Sequence, residues 1–74
     1  MNQQLIDEID ALSLYNLDTS EGIKVHHTAR SELIAATKRL HQKGLITQED
    51  GGYLTDLGYE AAQHGQSLIT ILGE

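Results

Sequence analysis

The segment from Lys38 to Gly58 constrains the fold more tightly than any other part of the chain, because three boundary signals fall inside it. Gly44 follows a run free of glycine and proline and supplies the left-handed residue that stops a helix at Lys43. Leu45–Gln48 and Tyr53–Thr55 then read as two short strands flanking Glu49, Asp50, Gly51 and Gly52. Asp-Gly at such a point favours the tight turn whose twist matches that of paired strands. Thr55 offers a side-chain oxygen to cap a last helix that runs to about Leu72. A helix that passes directly into a hairpin, and the hairpin directly into a second helix, leaves few architectures open.

The remaining elements follow from periodicity. A first helix is expected from Asn2 to about Leu14, with Leu5, Ile9 and Leu12 as its apolar stripe, Ile6 widening it, and Asp7, Glu8 and Asp10 facing water. Asn16–Gly22 is rich in turn formers and reads as a loop. Ile23, Val25 and His27 alternate, which suggests a short extended piece able to add a third strand to the hairpin. The second helix should begin between Thr28 and Ser31, either of which could cap it. Its wheel turns Leu33, Ala36, Thr37 and Leu40 inward and Ser31, Ala35, Lys38, Arg39, Gln42 and Lys43 outward. In the last helix Leu57, Ala61, Leu68 and Leu72 form the expected buried stripe, with Ile69 and Ile71 adding apolar surface. Gly58 and Gly65 inside it cost about 1 kcal/mol each relative to alanine and suggest close packing against another helix. Residues 1–74 therefore read as one α+β domain.

A chain of 74 residues builds a small core, worth roughly 3–5 kcal/mol unless something reinforces it. The absence of cysteine excludes disulfides and cysteine-based zinc sites as that reinforcement. No stretch resembles a signal peptide or approaches the roughly 18–20 apolar residues of a membrane span, so a soluble, cytoplasmic protein is expected. The chain has no nucleophile motif and no glycine-rich phosphate loop, and it is too short for a sizeable substrate cleft. No enzyme activity, cofactor or small-molecule ligand is therefore expected. His26 and His27 are adjacent, and His41 and His64 fall on different helices, so metal-ligand spacing is missing as well.

Charge is strongly segregated. Residues 24–43 carry all five cations (Lys24, Arg30, Lys38, Arg39 and Lys43) against one acid, Glu32, while the other ten acids lie outside that segment. The net charge of −6 thus conceals a basic helix. Lysine and arginine on one exposed helix face can neutralise phosphates, and glutamine, serine or arginine can reach base edges in a major groove. The candidate DNA-binding residues are Lys38, Arg39 and Lys43 on phosphates, Gln42 and Ser31 towards bases, and Lys24, His26, His27 and Arg30 on the flank. The hairpin tip, Glu49 and Asp50, is acidic and would be repelled by a phosphate backbone. The apolar surface around Leu68, Ile69, Ile71 and Leu72 exceeds what one small core needs, which points to a homodimer through the terminal helices.

From Gly22 to Leu72 the sequence resembles a small bacterial family of uncharacterised proteins labelled DNA-binding. The resemblance rests on Gly22–His27, Ile34–Thr37, Arg39–Thr47 and Gly51–Gly58. Lys43–Ile46 followed by Tyr53–Gly58 is also similar to the wing region of winged-helix transcription regulators. The resemblance implies a winged-helix-like domain with a recognition helix at about residues 28–43, major-groove binding and frequent dimers. It lacks a clear second helix before the recognition helix. The expected function is DNA binding, as a dimeric transcription regulator. The alternative is a winged-helix protein-interaction module that does not bind DNA, and the two differ in their response to salt.

Overall fold

The computed structural model describes residues 2–73. Three helices and a three-stranded antiparallel sheet follow one another as α1 (Gln3–Leu12), β1 (Ile23–Lys24), α2 (Ser31–Gln42), β2 (Ile46–Gln48), β3 (Gly51–Leu54) and α3 (Asp56–Leu72). The strand order is β1-β3-β2, so the early extended piece does join the later hairpin. This small α+β arrangement is compatible with a winged helix, in which α2 leads into the β2–β3 wing.

Local chemistry accounts for the boundaries. Asn2 caps α1 by accepting from the Leu5 amide at 2.9 Å. Thr55 caps α3: its Oγ1 accepts from the Gly58 amide at 3.0 Å and donates to the Gly44 carbonyl at 2.7 Å. One side chain thereby ties the end of α2 to the start of α3. Gly44 adopts φ +79°, the left-handed stop read from the sequence. The start of α2 differs from expectation. Neither Thr28 nor Ser31 caps it, since Arg30 holds the cap position without a side-chain bond and the Ser31 hydroxyl donates to Glu32 Oε1 at 2.7 Å.

The hairpin differs too. Its turn is Glu49–Asp50, and Gly51 and Gly52 belong to β3, where they pair with Lys24 and Ile23. Glycine is needed there because β1 crosses so closely. A Cβ on Gly51 would lie 2.6 Å from the Ile23 carbonyl oxygen, and Gly51 also has φ +129°. The register of β2 against β3 shifts between Ile46 and Gln48.

The core lies between the helices and the sheet and is built from Ala11, Leu12, Tyr15, Ala36, Leu40, Ile46 and Ala62. Three of these seven are alanine, so the helices meet through small side chains. Tyr15 bridges the layers by donating from its hydroxyl to the Gly52 carbonyl at 3.2 Å. Two helical faces are rotated from the expected ones. On α1 the buried residues are Asp7, Glu8, Ala11 and Leu12, whereas Leu5 and Ile6 are exposed. On α3 they are Gly58, Ala62 and Gly65, whereas Leu57, Leu68, Ile71 and Leu72 are exposed. The expectation that Asp7 and Glu8 face water is thus overturned. Tyr53 of β3 is also exposed.

Candidate interaction surface on α2

The basic segment does not form one continuous patch. Arg39 and Lys43 lie one turn apart on α2 and reach across to α1, where both grip Glu8. Arg39 Nε donates to Glu8 Oε2 at 3.0 Å, and its second amino group donates to the Gln4 carbonyl at 3.2 Å. Lys43 Nζ donates to Glu8 Oε1. Glu8 is only 6 % exposed, so its carboxylate is withdrawn from water and held by two cations. Burial on its own would raise the Glu8 pKa. The hydrogen bonds and charges of Lys43 and Arg39 outweigh that effect and hold it below the ordinary value of 4.5. Asp7 beside it accepts from Gln3 Nε2 at 2.9 Å.

These are the ion pairs found among the described residues. Lys24, Arg30 and Lys38 are exposed and take no part in them. Lys38 borders a hollow of about 160 Å³ that it shares with Glu49 and Asp50 of the β2–β3 turn. At the other end of α2, Glu32 sits beside Ser31, and the Ser31 hydroxyl bond keeps the Glu32 carboxylate below its usual range. Ser31, Ala35, Lys38 and Gln42 share the solvent side of the helix. His26 and His27 are exposed in the turn that precedes α2. The candidate residues are therefore distributed over three settings: an ion-pair clamp against α1, a solvent stripe along α2, and the β1–α2 turn.

Sequence reasoning missed Glu8, the residue that reorganises this surface. It is separated from its partners by 31 and 35 positions, a range at which helical periodicity carries no information. No three-residue group of His, Asp or Glu suited to a metal occurs among the described residues, and no described helix is long and apolar enough to cross a membrane.

A family model covers residues 1–73 and carries the description of a family of unknown function, DUF5669. The chain belongs to that family. No curated protein and no solved structure matches it. DUF5669 membership sets the extent of the shared sequence, which spans all three helices and the sheet, and assigns no activity to them.

Proposed function

We propose that this chain is a winged-helix protein-interaction module rather than a reader of duplex DNA. The observation that carries the reading is the Glu8 clamp, which neutralises Arg39 and Lys43 within the chain. Among the described residues Lys24, Arg30 and Lys38 stay outside ion pairs; Glu32 lies near Arg30, and Glu49 and Asp50 share a hollow with Lys38. Affinity for duplex DNA comes mainly from cations opposite phosphates. A surface whose cations are matched by neighbouring carboxylates offers little of that attraction, and the overall charge of −6 opposes it further. The large apolar side chains left outside the core supply what a protein partner uses instead.

A DNA-binding transcription regulator is the second reading, favoured by the unobstructed stripe of Ser31, Ala35, Lys38 and Gln42. Titration against random-sequence duplex at about 50 and 200 mM salt separates the two. An interaction module gives no binding that depends steeply on salt. Contacts through Lys24, Arg30 and Lys38 would instead produce a log–log slope near −2.7 for three phosphates. That slope, abolished by Lys38→Glu in a folded protein, would establish the regulator and overturn the module.

A further inference from the structure

We infer that the hollow between the α1–β1 loop, β3 and the start of α3 receives an arginine side chain from a partner protein. The inference names the partner chemistry of the interaction module and rests on that reading. The chain has three tyrosines and neither phenylalanine nor tryptophan. Tyr15, Tyr53 and Tyr59 come from different parts of the fold, yet all three line one hollow of about 260 Å³. Tyr15 is buried and forms its floor, while Tyr53 and Tyr59 are 57 % and 41 % exposed and form its walls.

Backbone contacts fix these rings. The Tyr15 hydroxyl donates to the Gly52 carbonyl, and the Tyr59 hydroxyl donates to the Leu17 carbonyl at 3.3 Å. The ring of Tyr53 passes over Gly22, where an added Cβ would lie 3.2 Å from its Cδ1. Two of the three hydroxyls are thus engaged with the fold, and ring surface is what the hollow offers to a ligand. An aromatic face attracts a cation within about 6 Å of its centre, arginine more often than lysine.

Charge selects the same ligand. Glu21 and Asp56 also line the hollow, are exposed, and take no part in the ion pairs found among the described residues. All five cations of the chain lie between Lys24 and Lys43, and none of them lines the hollow. A planar guanidinium can stack on a ring and pair with a carboxylate at once, whereas a lysine ammonium is a strongly hydrated point charge. Size decides between a side chain and a whole ligand. Small-molecule sites begin at roughly 300 Å³, so this smaller hollow suits one side chain presented by a partner. The net charge of −6 draws a basic partner towards it.

NMR titration of the full chain with an acetylated, amidated Gly-Gly-Arg-Gly-Gly peptide tests the proposal, because every tyrosine ring signal reports on the hollow. Those signals should shift and saturate at about 0.1–1 mM peptide, the range expected of a single-side-chain contact. The citrulline peptide should give no saturable shift, and the lysine peptide should bind several-fold more weakly. Tyr53→Leu and Glu21→Gln alter exposed side chains and should keep the circular dichroism of the fold while weakening binding about three- to tenfold. Tyr53→Phe, which keeps the ring, should bind as wild type does. Absence of a saturable shift would overturn the inference, as would equal binding of the citrulline peptide or unchanged binding by folded Tyr53→Leu. Equal affinity for the lysine peptide would overturn the choice of arginine. Ethylguanidine binding as tightly as the peptide would make the occupant a free small cation. Tyrosine signals already displaced in Arg30→Gln without peptide would make it a second copy's arginine, and either result overturns the assignment to a partner protein. None of these outcomes bears on duplex binding, whose steep salt slope alone would overturn the underlying reading.

Discussion

At the scale of single residues, Glu8 has the widest reach. It converts two cations from a potential ligand surface into a strap between α1 and α2. Replacing it with glutamine keeps the shape and removes the charge. Because Lys43 is half exposed and Arg39 a quarter exposed, solvent screens part of the interaction, and the expected loss is about 1 kcal/mol in urea denaturation. The same variant should bind duplex DNA more strongly than wild type, since Arg39 and Lys43 are set free; unchanged binding would mean that the clamp does not mask them. The pH dependence has a definite sign. A carboxyl held below 4.5 in the folded state adds stability that is complete above about pH 4.5 and lost as pH falls through the lower, folded value. Glu8→Gln should lack that acid step. Tyr15 gives the opposite case. Burial first, then the Asp50 charge, pushes its hydroxyl from 10.0 up to about 12. Its contribution is complete below pH 10 and disappears as pH rises towards 12. Absorbance titration should therefore show a tyrosine ionisation step delayed towards pH 12, and Tyr15→Phe should remove that late step.

At the scale of elements, the punctuation of the chain was legible and the orientation of its helices was not. Gly44 and Thr55 sit where their backbone chemistry demanded, and the hairpin and third strand follow from local signals. The wheels of α1 and α3 misled because a hydrophobic stripe points to large side chains, whereas α3 is buried through Gly58, Ala62 and Gly65 and α1 partly through Ala11. A helix buried through small residues lets another backbone approach closely, and its large residues are then left outside. Gly58 illustrates the constraint: a Cβ there would lie 1.8 Å from the Leu45 carbonyl oxygen, so the glycine serves a helix-to-turn contact rather than the helix-to-helix contact the sequence suggested. A Cβ added at Gly65 would meet only the Ile9 Cγ2, at 3.4 Å, an ordinary contact. Two substitutions of equal helix propensity should therefore diverge. Gly58→Ala should cost about 2–3 kcal/mol despite the gain of about 1 kcal/mol in propensity, because backbone must move. Gly65→Ala should be neutral or stabilising by up to about 1 kcal/mol. Equal effects in thermal melts would show that close approach does not explain Gly58.

At the scale of the whole molecule, a small core and many exposed large apolar side chains are what the homodimer expected from the sequence would draw on. If folding and pairing are linked, the melting temperature must depend on concentration. A tenfold rise in protein adds about 1.4 kcal/mol to a two-state dimer, which for roughly 150 residues in the pair corresponds to about 3–6 °C. A monomer gives no such shift, and neither should Leu57→Asp/Leu72→Asp. Charge supplies a second discriminator of opposite sign. Each copy carries −6, so pairing brings like charges together, and screening should strengthen the dimer as salt rises from about 50 to 200 mM. Binding to duplex DNA weakens over that same interval because condensed counterions are released into a more concentrated solution. One salt series, read by sedimentation for the protein alone and by anisotropy with labelled duplex, therefore drives the two associations in opposite directions. A dimer that tightens while duplex binding stays weak at both salts would place the working surface on α1 and α3. A dimer that loosens with salt would mean that ionic contacts hold it, and the apolar stripe of α3 would then not be its interface.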